Sequence, residues 1–285
     1  YRNVLADALA ESGSESSISR RFAVTVGVAS GGGATSSLYE ETAKDDKVLT
    51  VPFAHVAVVP VYHVDALSDC GGTGGTLVLD GAAIAGVFLG SVTMWNDAVI
   101  QALNPDVAAC LPSESIKLIV RTDFGAADAS ETSAIVIKYL SKMSPEFKSH
   151  DEAGTLSATI FNASRTDSIV QVYSEADVAA AVTYHMNSIG LWLYTSKTRN
   201  NVGNIKRGGR ELELNKESLQ ACEENTRFAT GGLGFSFDLQ SSEADGCWPF
   251  AATAAISVDT EFSSEECMLL NKYPQSYAQM TAKFL

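Results

Sequence analysis

Basic residues are scarce in this chain: 20 Lys and Arg stand against 34 Asp and Glu, a formal charge of −14. Phosphate-rich nucleic acid and anionic membrane surfaces would be repelled by that balance, so neither is expected as a partner. A small anion remains compatible, because donors in a pocket outweigh distant charge that salt screens over about 10 Å. Long apolar runs are missing too. The longest, Val51 to Val61, is broken by Pro52, His55 and Pro60, well short of the roughly 18 residues a membrane helix needs. There is no Cys-x-x-Cys pair, and His55, His63, His150 and His185 stand at no ligand spacing. Neither zinc nor any other cofactor is therefore expected. No Gly-x-Ser-x-Gly elbow is present, and Ser, His and Asp fall into no recognisable arrangement, so an enzyme is not expected. Gly71 to Gly75 is followed by no Lys-Ser/Thr and reads as a turn, not a phosphate cradle. Tyr1-Arg2-Asn3-Val4 does not read as a leader peptide, and a start on Tyr is expected of a cut or processed chain.

What is present suits a sizeable fold. The chain has 285 residues, 46% of them hydrophobic, enough for one large domain or two lobes with separate cores. Cysteines at 70, 110, 222, 247 and 267 are widely spaced. They fit two disulfides plus one odd thiol, or five reduced core cysteines. Asn162-Ala-Ser164 is an N-glycosylation acceptor triplet. Sequon and cysteines together point to an oxidising setting: extracellular, cell surface or periplasmic.

Along the chain, Val4 to Ala10 reads as a short helix and Phe22 to Val28 as a strand. Val48 to Val64, rich in Val, reads as one or two buried strands. Thr76 to Leu79 is expected to be a strand, Ala82 to Leu89 and Asn96 to Leu103 helices, and Ile116 to Val120 a strand. Ser130 caps a helix that runs to about Lys142. Ser168 to Tyr173 and Ala176 to Tyr184 read as helical, Ile189 to Tyr194 as a strand, Leu219 to Thr226 as a helix, and Ala251 to Val258 as a strand. Alternating strands and helices make the chain α/β.

The stretch from Ile119 to Ser133 carries the most chemistry. A strand delivers Arg121 into a loop that ends in hydroxyl residues at a helix N-terminus, where unpaired N–H groups and the dipole favour an anion. Arg121 adds a charge-assisted contact. Asp123 or Asp128 could accept a hydrogen bond from a protonated oxyanion such as hydrogen phosphate, which sulfate cannot offer. The plainer alternative is that Ser130 only caps the helix and Arg121 is a surface charge.

Residues 77 to 142 resemble the phosphate-binding subunit of bacterial phosphate ABC importers. Leu79-Asp80-Gly81, Phe88-Leu89-Gly90, Trp95-Asn96-Asp97, Leu103-Asn104-Pro105, Leu111-Pro112, Val120-Arg121 and the Asp128-to-Ser133 run carry the likeness in order. Val51-Pro52-Phe53, Ser188-Ile189-Gly190 and Cys247-Trp248-Pro249 extend it. The resemblance implies a type II periplasmic-binding-protein fold. It implies lobe 1 from residues 1–68 and 246–285, lobe 2 from 69–245, and crossings near 60–75 and 240–250. It implies inorganic phosphate or a similar oxyanion as ligand, held by Arg121, Asp128, Ser130 and Thr132, with Asp128 preferred to Asp123. Ser30 and Thr35 fall where the other lobe's loops would contribute. The chain departs from the family at Glu131, which replaces a Gly, and in a second aspartate with no counterpart. The alternative is a degenerate, non-binding copy that serves as a structural or interaction module beside neighbouring domains or chains. Cys222 is expected to pair with Cys247 and Cys70 with Cys110, leaving Cys267 free or bound to another chain.

Overall fold

The computed structural model describes residues 22–27 and 48–259, except 69, 71–74, 127–128, 196–197, 199, 225–226 and 232–233. The expected helix Val4 to Ala10, Ser30, Thr35, Asp128 and Cys267 lie outside the described residues.

One large sheet organises the rest. It contains β1 (Phe22–Gly27), β2 (Val48–His63), β4 (Lys117–Arg121), β5 (Ile169–Val172), β6 (Ser188–Leu193), β7 (Asn201–Val202) and β12 (Ala251–Asp259). Its order is β1-β12-β2-β6-β4-β5, with β7 on β2. Around it lie the sheet β3-β8-β9 (Val78–Asp80, Asn204–Arg207, Arg210–Leu212) and the hairpin of β10 (Arg227–Gly231) and β11 (Gly234–Asp238).

The 16-residue strand β2 joins two kinds of pairing. Its first part, Val48 to Ala57, runs antiparallel to β12, and Val58 to His63 runs antiparallel to β6. Strand β6 in turn lies parallel to β4, and β4 parallel to β5. Val56 to Val61 was expected in the opposite lobe from Ile116 to Val120. Instead, Val58 to Val61 shares a sheet with β4 through β6, because β2 is long enough to continue beyond its pairing with β12. Val58, Val59 and Val61 are fully buried there. Ile169 to Val172 is also a strand where a helix was expected. Its β-branched residues pair with Leu118 to Arg121, and that pairing outweighs local helix preference.

The helices are α1 (Asp65–Ser68), α2 (Gly81–Leu89), α3 (Ala98–Leu103), α4 (Glu131–Met143), α5 (Pro145–Glu152), α6 (Leu156–Ile160), α7 (Glu175–Tyr184) and α8 (Lys216–Gln220). The expected helix from Leu219 to Thr226 is displaced: α8 ends at Gln220, and Arg227 already belongs to β10. The residues that carried the family likeness prove to be architectural. Asp80 caps α2 by accepting from Ala83 N (2.7 Å), and Gly90 ends that helix at φ 85°. Buried Asn104 accepts from Val78 N (2.7 Å) and donates to Val78 O (2.8 Å). Trp95 donates to Asn187 O (3.0 Å) and Trp248 to Val58 O (2.8 Å).

Helix α4 turns Ile135, Val136, Tyr139 and Leu140 inward. Its flank is tied to the chain just before β12. Lys138 pairs with Asp238 (3.0 Å), Lys142 donates to Gln240 O, and Gln240 Nε2 donates to Ile135 O (2.7 Å) and Pro249 O (3.3 Å). The Tyr139 and Phe250 rings meet edge-on at 4.7 Å. Disulfides join Cys70 to Cys110 and Cys222 to Cys247, the pairings expected.

Candidate functional site

Strand β4 ends on Arg121, and the next residues turn sharply. Gly125 sits at φ 76°, and a Cβ there would come within 2.7 Å of Ser157 N, so a side chain is excluded twice over. Phe124 tucks against Phe88 with ring centroids 4.7 Å apart, which anchors the turn to α2. The chain then reaches Ser130, whose Oγ accepts from Ser133 N (3.2 Å) as the N-cap of α4.

Asp123 is the hub of this corner. Its Oδ2 accepts from Arg121 Nη2 (2.6 Å) and Ser130 N (3.1 Å). Its Oδ1 accepts from Arg121 Nε (3.1 Å) and Ser133 Oγ (3.3 Å). Both side chains are about one-fifth exposed, so the pair is sheltered from solvent without being sealed. The Asp123 contact holds the Arg121 guanidinium above even its ordinary pKa. The carboxylate thus lies at the α4 N-terminus, where a bound anion would be favoured. The sequence reading preferred Asp128 for this role. Asp128 lies outside the described residues, and the partner the structure gives Arg121 is Asp123, two residues on.

A second carboxylate completes the site. Because β5 lies parallel to β4, the chain leaving β5 emerges beside Arg121, and α7 begins there. Ser174 and Asp177 form a capping box, which fixes Glu175 as the first residue of the helix. Glu175 Oε1 accepts from Leu193 N at the end of β6 (2.9 Å), and Oε2 lies 3.9 Å from Arg121 Nη1. Its carboxylate also receives the Thr132 hydroxyl. Burial pushes the Glu175 pKa above the usual range, and nearby Asp123 adds to that. The Leu193 N–H, Arg121 and Thr132 oppose it.

The structure brings Arg121, Ser130 and Thr132 together, and beside them Glu175, which the sequence reading did not single out. Its signal was Ser-x-x-Asp at 174–177, a capping box directly after a strand. Reading Ile169 to Val172 as helix erased that junction. Under the turn lies a cavity of about 20 Å³, walled by Phe88, Ile119, Phe124 and Val136. That is room for a single water, not a tetrahedral oxyanion. No cluster of metal-binding side chains occurs among the described residues, and no helix there is long and apolar enough to cross a membrane.

The parallel part of the sheet, β6-β4-β5, thus brings one arginine and two helix N-termini together at its carboxyl edge, the place where open α/β folds generally hold a ligand. Solved phosphate-binding proteins share the architecture, the two-lobed type II periplasmic-binding-protein fold. The ancestral soluble variant of the human phosphate binding protein superposes with a TM-score of 0.53 at 14% identity, over 90% of this chain and 71% of its own. The phosphate binding protein of Stenotrophomonas maltophilia gives 0.51 at 13% identity, over 90% and 68%. No protein-family model matches the chain. Sequence comparison nevertheless finds the phosphate-binding protein PstS of Xylella fastidiosa, 28% identical over 205 residues, 71% of this chain and 51% of that protein. The PstS of Methanocaldococcus jannaschii is 36% identical over 109 residues, 38% of this chain and 25% of its own. A putative serine/threonine-protein kinase/receptor, R818 of Acanthamoeba polyphaga mimivirus, is 28% identical over 218 residues, 71% of this chain and 12% of that protein. The chain thus spans about half or less of the length of these relatives. In sequence and in fold the chain is similar to the PstS phosphate-binding proteins.

Proposed function

We propose that this chain is a PstS-like solute-binding domain, not an enzyme, and that it binds phosphate or a similar oxyanion between its lobes. One observation carries the reading: Arg121 stands at the α4 N-terminus with the Ser130 and Thr132 side chains around it. Arg121 Nε and Nη2 are taken by Asp123, while Nη1 is 3.9 Å from its other acidic neighbour, beyond hydrogen-bond length. The donors of Nη1 are thus available to an anion. We place the lobe crossings within β2 near Ala57 and at the start of β12, where the pairing of β2 changes partner. The remaining ligand groups, Ser30 and Thr35 among them, would come from the other lobe. Two disulfides support an extracellular or periplasmic location. Asn162 is exposed, and its Oδ1 accepts from Ser164 N (3.0 Å), which leaves its amide nitrogen available for glycosylation.

A second reading has its own observation. Asp123 and Glu175 already engage Arg121 and Thr132, so the site carries two negative charges to one positive. A copy of the fold retained as a module of a larger protein would tolerate that. The short share of the viral kinase/receptor matched fits such a module. Calorimetric titration with phosphate and with sulfate separates the two. Saturable phosphate binding that Arg121→Ala abolishes is the expected result, and no heat with either anion would establish the module.

A further inference from the structure

We propose, on the oxyanion reading above, that the ligand at Arg121 is an organic phosphate ester whose flat, ring-bearing group packs on Tyr173 and Tyr194. The strand order sets these residues in one row. Strand β4 lies between β6 and β5 and runs parallel to both, so the three end at one edge, on Leu193, Arg121 and Val172. Tyr194 follows the first of these and Tyr173 the last. Neighbouring strands stand about 4.8 Å apart, so a tyrosine follows the strand on either side of Arg121. Both side chains lie open: Tyr173 is 83% exposed and Tyr194 49%. The backbone beneath them is fixed. Tyr194 N donates to Ala57 O (2.8 Å), Thr122 N donates to Val172 O (2.9 Å), and the Ser174 capping box holds the chain after Tyr173.

Inorganic phosphate presents only oxygen atoms and gains nothing from an aromatic face. An ester with a planar group gains at both ends: charge and hydrogen bonds at Arg121, and apolar contact on the tyrosine rings. The shape of the corner agrees. The cavity beneath the turn, about 20 Å³, is too small for a tetrahedral oxyanion, so the anion lies on the open side of Arg121. The Arg121 and Asp123 side chains are sheltered without being sealed, which leaves that side within reach. A substituent on the ester oxygen then passes out along the strand ends, where the two tyrosines stand.

The two parts of the site divide the work. Arg121 and the α4 N-terminus hold the phosphoryl oxygens, which every phosphate ester shares. The tyrosines choose among esters by the group attached. Stacking of a planar group on one aromatic side chain strengthens binding about tenfold, and it tolerates many ring types because each offers a π-face. Tyr184 supplies an internal control. It is as exposed as Tyr173 but ends α7, about 14 Å along the helix from the residue that opens it beside Arg121.

The test is calorimetry with inorganic phosphate, methyl phosphate and phenyl phosphate. The two esters share anchor and charge and differ in the ring. The natural chain is compared with Tyr173→Ala, Tyr194→Ala, the double variant and Tyr184→Ala, each checked for folding by thermal melting. The expected result is phenyl phosphate bound at least tenfold more tightly than methyl phosphate by the natural chain. That ratio should fall in each of the first two variants, approach one in the double variant, and stay unchanged in Tyr184→Ala. A purely structural role of the tyrosines would shift both ester affinities together and leave the ratio intact. Equal affinity for the two esters, or a ratio that survives the double substitution, overturns the proposal. Binding of inorganic phosphate with rejection of both esters also overturns it and leaves the oxyanion site standing. Absence of binding by all three overturns both.

Discussion

Helices α2 and α4 begin in similar settings, each at the carboxyl end of a short strand, yet their N-termini are built differently. At α2 the capping group is a carboxylate of the chain itself: Asp80 accepts from Ala83 N, and the first turn behind it is buried. At α4 the cap is a hydroxyl, Ser130, and the carboxylate comes from seven residues upstream, held by an arginine. The first end is closed and purely structural. The second gathers a carboxylate, a cation and the hydroxyl groups of Thr132 and Ser133 around its first turn. A helix N-terminus is therefore no site in itself; its cap decides whether it stays available.

The difference can be sharpened by substitution, beginning with the largest expected effect. Asp123→Ala leaves the partly buried Arg121 without its partner and removes the acceptor of Ser130 N and Ser133 Oγ. Urea unfolding should show a loss of about 3 kcal/mol. A loss under about 1 kcal/mol would equate the pair with an ordinary surface ion pair. Glu131→Gln comes next. A charge about 6 Å from the ligand in an effective dielectric of about 40 acts with about 1.4 kcal/mol, so phosphate should bind about tenfold more tightly. Unchanged titration curves would mean that Glu131 serves the helix end alone. The smallest effect belongs to the closed end: Asp80→Ala should cost about 1 kcal/mol of stability and leave phosphate affinity untouched. Any change in that affinity would break the distinction between the two helices.

Much of this architecture is legible in the sequence because local rules and tertiary structure agree there. The Ser130 cap, the break after Leu103 and the Val-rich strand β2 all follow from residues that could do little else. The failures lie where a neighbour decides. Ile169 to Val172 became a strand through its parallel partner, and with it went the view of Glu175 beside Arg121. The hairpin of β8 and β9 was missed although Gly208 and Gly209, at φ 57° and 81°, are the residues a tight two-residue turn demands. Asp128 was preferred over Asp123 because a contiguous run looked more motif-like. A turn anchored by Phe124 and Gly125 brings the earlier residue back instead. The motif residues that announced the family mostly cap and brace, so recognising them located the fold more surely than the site.

The ties along the flank of α4 give that helix a mechanical meaning. Lys138, Lys142, Gln240 and the Tyr139–Phe250 contact clamp its far half to the chain that enters β12. At 13 residues the helix is a rod about 20 Å long, so a tilt of about 3° at the Ser130 end displaces the clamped end by about 1 Å. A packed core does not absorb such a shift smoothly. Any displacement of the Ser130 end of the rod is thereby felt as torque on the strand at the other.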